Sequence, residues 1–195
     1  MVKTIMLITD GFEEIEAVSI IDILRRADIQ CDVCTVGYSE GNITGSHGIK
    51  IVENISLLDL EKDYYSDELS EYISGLYDAV VLPGGMPGSS KLRDSKDVIK
   101  IIQDFNKKNK TIAAICAAPK VLEKAGLLNG KTVTCYPGSL EDETSLINTG
   151  NPVECDGNII TGKAPGAAAE FSFEIIKALK DAATAEKIKT AMFYN

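Results

Sequence analysis

The sequence predicts an α/β fold in which a mostly parallel central sheet is covered by helices on both faces. Two observations carry that expectation. Apolar runs such as Val2–Thr9 and Tyr77–Pro83 lack a polar face, as strands do when both sides of a sheet are buried. Stretches with apolar residues at helical spacing separate these runs, and such alternation points to strand–helix–strand crossovers. Size adds a third: 195 residues, 45% of them hydrophobic, can fill one complete core. Residues 1–195 are therefore read as a single domain.

The elements follow in order. Val2–Thr9 is the first strand. Glu13–Ala27 is a helix, with Ile15, Val18, Ile21, Ile23, Leu24 and Ala27 at helical spacing. Ile29–Val36 is a second strand. Gly41–Glu53 places Gly41, Gly45 and Gly48 between short alternating runs, which suggests a small hairpin. Glu61–Gly75 is acidic and polar, with Tyr64, Tyr65 and Tyr72 interspersed, and reads as an exposed helix or insertion. Tyr77–Pro83 is a strand that ends in the tight turn Gly84-Gly85-Met86-Pro87-Gly88. Ser95–Asn106 is an amphipathic helix with Val98, Ile101, Ile102 and Phe105 on one stripe. Thr111–Ile115 is a strand, and Pro119–Ala125 a helix closed by Gly126. Lys131–Cys135 and Val153–Thr161 are further strands. Gly166–Leu179 and Ala182–Phe193 end the chain as helices.

Composition excludes several function classes. The net charge is −9, which argues against a nucleic-acid binder, since that needs a basic face. The dense basic trio Lys107-Lys108-Lys110 reads as a solvated helix end. No apolar run is long enough to cross a bilayer. The N-terminus lacks a signal peptide's apolar centre and cleavage site, so the cytoplasm is expected. The five cysteines are Cys31, Cys34, Cys116, Cys135 and Cys155. Cys31 and Cys34 have C-x-x-C spacing, but on a strand residues three apart point to opposite faces, so they cannot share a metal. With one histidine in the chain, no metal site is expected. A G-x-G-x-x-G turn is absent, so no nicotinamide or flavin cofactor is expected either.

In sheets of this kind, sites form at the carboxyl ends of the strands. Cys116 lies there, at a sharp strand-to-helix turn made by Ala117-Ala118-Pro119. A helix N-terminus lowers a thiol pKa, so a value below about 8.5 is expected. The competing reading is a small buried hydrophobe. Glu13 and Glu14 suit the start of the first helix. Glu16 lies about one turn in, between Ile15 and Ala17. If buried, it needs a partner, and a neighbouring thiol would be one. Paired Gly84 and Gly85 end a strand, and the Gly85 and Ala117 N–H groups are candidate oxyanion donors. The lone His47 lies in a glycine-rich hairpin and reads first as a surface residue.

Gly11-Phe12-Glu13-Glu14-Ile15-Glu16, Val80-Val81-Leu82-Pro83-Gly84-Gly85, Ala113-Ala114-Ile115-Cys116-Ala117-Ala118-Pro119 and the segment Thr161 to Phe171 occur in that order. Together they resemble the ThiJ/PfpI superfamily, on the branch of the Parkinson-disease protein deglycase (DJ-one), over nearly the whole chain. The resemblance implies a flavodoxin-like three-layer sandwich and a homodimer. It implies that Cys116 is an oxidation-prone nucleophile, that Glu16 is the buried glutamate bonded to it, and that Gly85 and Ala117 form a main-chain pocket. It places Arg26 and His47 near a dimer interface. Two departures matter. No histidine follows Cys116 closely, which argues against a protease. The second-shell histidine of the branch maps to Tyr136, a poor base near neutral pH. The expected activity is that of a deglycase or glutathione-independent glyoxalase on α-oxoaldehydes or glycated adducts. The alternative is a non-enzymatic stress protein or chaperone that uses the same cysteine as a redox switch.

Overall fold

A computed structural model describes residues 1–37 and 41–194. In chain order its strands and helices are β1 (Lys3–Ile8), α1 (Glu14–Arg26), β2 (Gln30–Thr35), β3 (Asn42–Thr44), β4 (Lys50–Val52), β5 (Ile55–Ser56), α2 (Leu57–Leu60), α3 (Ser66–Leu76), β6 (Ala79–Leu82) and α4 (Gly88–Asp94). They continue with α5 (Lys96–Lys107), β7 (Thr111–Ile115), α6 (Pro119–Lys124), β8 (Thr132–Val133), β9 (Ile147–Asn148), β10 (Val153–Asp156), β11 (Ile159–Gly162), α7 (Ala168–Leu179) and α8 (Ala182–Ala191).

Among the described residues, seven strands form the main sheet in the order β10-β11-β7-β6-β1-β2-β5. All neighbours are parallel except β10, which runs antiparallel to β11. The chain builds outward from β1 in one direction through β2 and β5, then returns to β1 and builds the other way through β6 and β7. The crevice between the carboxyl ends of β1 and β6 is where the two directions part, and open α/β sheets place their sites at such points.

The apolar strands explain the layering. One side chain of each pair points to either face, so Ile5, Leu7, Val80 and Leu82 pack with Ile73, Ile101 and Phe105 on one side. Met6, Ile8, Val81 and Ile115 pack with Ile20, Leu24, Phe171 and Ile175 on the other. Each fully buried phenylalanine or isoleucine contributes about 1.5–3 kcal/mol relative to exposure. The result is the flavodoxin-like three-layer sandwich. Cys31 and Cys34 fall in opposite core layers, so the C-x-x-C spacing brings no thiol pair together. None of the described helices is long and apolar enough to cross a membrane.

Helix starts are fixed by side-chain caps. Ser95 accepts the Val98 N–H at 3.3 Å at the start of α5, and Asp181 accepts the Thr184 N–H at 2.7 Å at the start of α8. Pro119 opens α6 where its missing N–H is not needed.

Several elements differ from the sequence reading. Val153–Thr161 is not one strand but the hairpin β10–β11, which turns at Gly157 with φ +65°. Of Lys131–Cys135 only β8 is a strand, and it pairs with β9 outside the main sheet. The Gly88 turn continues into α4, whose Gly-Ser-Ser start has weak helix propensity. The 61–75 segment is not simply exposed, because α3 buries Leu69 and Ile73, a narrow stripe at i, i+4. Nor is the basic trio simply solvated. Lys108 Nζ donates to Ser74 Oγ at 2.7 Å, and Lys110 Nζ donates to the Ser74 and Tyr77 carbonyls, each at 2.7 Å. Two lysines of the trio thus hold the carboxyl end of α3, where cations are favoured.

Candidate functional site

β7 ends at Ile115, and Cys116 follows in the left-handed region with φ +62°. That conformation costs a non-glycine residue about 1–2 kcal/mol and persists only where its surroundings enforce it. Main-chain bonds do so here. The Cys116 N–H donates to the Gly162 carbonyl at 2.8 Å, and the Tyr136 N–H donates to the Cys116 carbonyl at 2.9 Å. The side chain is directed to the crevice and only 8% of the residue is exposed. The Ala117 N–H is hydrogen-bonded to the sulfur.

Glu16 is fully buried on the first turn of α1. Its Oε2 accepts the Gly84 N–H at 2.7 Å. The carboxyl also faces the Cys116 thiol, which acts on its titration, and Oε1 has no hydrogen-bond partner among the described residues. Gly84 permits this contact, since a Cβ there would lie 2.7 Å from Cys116 Cβ and 2.8 Å from Glu16 Oε2. Glu13 orients the same turn. Its Oε2 accepts the Glu16 N–H at 2.8 Å, and its own N–H donates to the Gly84 carbonyl at 2.9 Å. The sequence reading treated Glu13 only as a charge suited to the helix dipole, because glutamate is not among the favoured N-cap residues.

The electrostatics correct one expectation. Burial pushes the Glu16 carboxyl up to about 7, against the opposing bonds from Gly84 and Cys116. Burial, followed by the charge of Glu16, pushes the Cys116 thiol up to about 12, and the Ala117 N–H only partly offsets this. A thiol below about 8.5 is therefore not what the folded chain provides. The helix after the elbow is only six residues long, and a neighbouring carboxylate outweighs its dipole. Because the folded pKa of Glu16 lies above its ordinary value of 4.5, its contribution to stability is fully present below pH 4.5 and is lost as pH rises through 7.

This coupling has a measurable consequence. Glu16→Gln removes the charge and keeps a hydrogen-bonding side chain, so the Cys116 thiol pKa should fall by about one unit or more. The thiolate fraction at pH 8 would rise about 10-fold. Lower intrinsic nucleophilicity would hold the gain in alkylation rate to about 3-fold. The pH profile of iodoacetamide labelling at Cys116 checks this, and a profile that stays put or moves to higher pH would refute the coupling.

The remaining candidate residues are placed as follows. Gly85 has φ +94° and packs against the Phe12–Glu13 main chain. Tyr136 is half-exposed and joins the elbow through its main chain. Arg26 lies on the outer face of α1, where its Nε donates to Asp22 Oδ2 at 2.6 Å. His47 lies on the turn between β3 and β4, with 72% of its side chain exposed, and its Nδ1 is 2.8 Å from Glu14 Oε2. Neither Arg26 nor His47 is hydrogen-bonded to Cys116 or Glu16. The structure brings together Cys116, Glu16, Gly84 and Ala117.

Glu14 has a role that the sequence did not reveal. Its Oε1 accepts the His47 N–H at 2.6 Å, and its Oε2 accepts the Ser46 hydroxyl at 3.2 Å. Burial raises its pKa, but the bonds from the His47 side chain and main chain outweigh that and bring it down to about 2. The same contact raises the His47 pKa. Ligand-type atoms of Glu13, Glu14 and His47 lie within 4.8 Å of one another. They are donors of the kind that hold a divalent cation, although a cation there would have to displace the bonds Glu14 already accepts.

A family model described as the DJ-1/PfpI family matches residues 2–178. Protein DJ-1 homolog B of Arabidopsis thaliana is 35% identical over 171 residues, which is 87% of this chain but 36% of the plant protein. The chain thus spans little more than a third of that relative's length. The Parkinson disease protein 7 homolog of Danio rerio is 32% identical over 193 residues, covering 97% of this chain and 96% of the fish protein. Among solved structures, an oxidized form of Toxoplasma gondii DJ-1 superposes with a TM-score of 0.85 at 32% identity, over 100% of this chain and 99% of that one.

Proposed function

This chain belongs to the DJ-1/PfpI family, and from that premise we propose that it acts on α-oxoaldehydes, or on the adducts they form with amines and thiols, through Cys116 and Glu16. The observation that carries this reading is the buried Glu16 carboxyl facing the Cys116 thiol at the elbow. A thiol pushed up to about 12 is not ionised in advance. It needs a base in contact, and a carboxyl pushed up to about 7 suits proton transfer in both directions near neutral pH.

The chemistry follows for methylglyoxal. As the sulfur adds to the aldehyde carbon, Glu16 takes the thiol proton and gives it to the new alkoxide, which forms a hemithioacetal. The Ala117 N–H, with the Gly85 N–H as the second candidate donor, stabilises the developing oxyanion. Glu16 then takes the proton from that carbon, the hydroxyl proton passes to the neighbouring carbonyl oxygen through an enediol, and Glu16 returns its proton to the former carbonyl carbon. A thioester results. Water cleaves it, releasing lactate and restoring the thiol, so the sum is methylglyoxal plus water to lactate. The test is lactate formation by the purified protein without glutathione.

A second reading has its own support. The Cys116 sulfur is met by the Ala117 N–H and faced by an acid that can donate to an oxidised sulfur, and a related structure is described as oxidized. Peroxide would convert the thiolate to sulfenate with loss of water, and a second equivalent would give the sulfinate. In this role the protein would be a stress sensor acting in the cytoplasm as a single domain.

Both readings include a homodimer. Ile15 and Val18 on α1 and Ile49 and Val52 on the adjacent hairpin are 46% to 69% exposed, and exposed apolar groups clustered in this way mark interaction surfaces. Arg26 and His47 flank them and could reach a partner's site. Sedimentation at micromolar concentration should give about twice the 21.0 kDa chain mass, and Val18→Glu should return it to one. A wild-type protein that stays at 21.0 kDa would rule the dimer out.

A further inference from the structure

We propose that Lys120 makes the Cys116 site selective for reagents and carbonyl substrates that carry an anionic group beside the reacting carbon. This rests on the reading of Cys116 as the reacting thiol. Lys120 lies in the first turn of α6, four residues beyond Cys116 on the helix that the elbow starts. Its Nζ is 3.9 Å from Met86 Sδ. Met86 follows Gly84 and Gly85, and Gly84 packs directly against Cys116. The ammonium thus reaches from the elbow helix to the glycine turn.

The lysine is only loosely engaged elsewhere: it shares a groove with Asp94 and Glu123, and its charge helps to hold the Asp94 pKa down. Lys120 is half-buried, yet among the described residues it makes no salt bridge, whereas Lys62, Lys100, Lys107, Lys131 and Lys177 do. The Met86 sulfur is a weak acceptor and also takes the Ser90 hydroxyl at 3.6 Å, so the ammonium keeps donors for a ligand. Arg93, which lines the same groove as Lys120, is already paired with Asp94 and Glu141. The floor of the site carries the acids Glu13 and Glu16, whose charges act on Cys116. An anionic ligand approaching that floor is repelled unless a cation at the rim compensates. Lys120 supplies that cation.

The experiment compares iodoacetate with iodoacetamide, which share a leaving group and differ in charge. Rates at Cys116 are read by peptide mass spectrometry at low salt for the wild type, Lys120→Gln and Lys120→Arg. The iodoacetate-to-iodoacetamide ratio should fall about 3- to 5-fold in Lys120→Gln, the range expected of a partly exposed ion pair. It should be kept in Lys120→Arg, and 0.5 M salt should narrow the wild-type ratio. An unchanged ratio, or an equal loss for both reagents, overturns the proposal. A second comparison uses glyoxylate against methylglyoxal as substrates. Absence of turnover by the wild type would sink the enzymatic reading, while the alkylation ratio would still judge Lys120.

Discussion

Cys116→Ser should lower glutathione-free conversion of methylglyoxal to lactate by about 10³-fold or more, a loss typical of removing a nucleophile. The hydroxyl fits the same elbow, so the fold should survive. Its pKa lies far above even the raised thiol value of about 12, and a carboxyl at about 7 cannot deprotonate it to any useful extent. Peroxide treatment should likewise add no oxygens at position 116. The other thiols are poor substitutes. Cys31 and Cys34 are sealed in the core and pushed up to about 12 by burial. Cys155, though exposed, has a raised pKa and negative neighbours in Glu154 and Glu174. Lactate production together with oxidised-peptide mapping checks this, and undiminished activity in the serine variant would remove Cys116 from the mechanism.

Gly85→Ala should be the most damaging small substitution near the site. At φ +94° a side chain is strained, and the added Cβ would lie 2.3 Å from Glu13 N and 2.4 Å from the Phe12 carbonyl carbon. Both are main-chain atoms at the start of α1, and that turn also fixes Glu13 and Glu16. Relief would require β6 and α1 to separate, at a cost of about 3 kcal/mol or more. For a chain of this size that corresponds to a fall in Tm of about 6–12 °C. Gly157→Ala is the control. It has φ +65° but meets only the side-chain Nζ of Lys131 at 3.4 Å, so about 1 kcal/mol is expected. Equal melting shifts for the two variants would show that the close approach at Gly85 does not matter.

The sequence made the order of layers and the Cys116 elbow legible because both depend on local patterns. Apolar runs without a polar face reveal buried strands, and Pro119 after small residues reveals a turn entering a helix. Glu16 stands out because it lies between Ile15 and Ala17 about one turn into the helix, where the helix begins to face the sheet. What escaped depends on distance or on sign. Asp156-Gly157-Asn158 is a turn signal that a long apolar–polar alternation concealed. The narrow Leu69–Ile73 stripe was hidden among acids, and its lysine partners lie more than thirty residues later. The direction of the thiol pKa was read from the helix end alone, whereas burial and a facing carboxylate decide it. The link from Glu14 to residue 47 is not legible, since nothing local joins the two.

That last contact bears on the order in which the chain comes together. The β3–β4 hairpin has three residues per strand, and a two-stranded hairpin of that size is marginal by itself in water. Its turn is closed by a carboxylate 33 residues earlier in the chain, so α1 must already be docked before the turn gains its anchor. The hairpin thus depends on contacts made across the sequence, with Ile43 buried in the core and Thr44 and Ser46 hydrogen-bonded to the turn before α1. Because it carries Ile49 and Val52, a second copy docking there would press directly on these cross-sequence contacts. Association would tighten this corner, and with it the turn that holds Glu13 and Glu16, without any movement in the central strands.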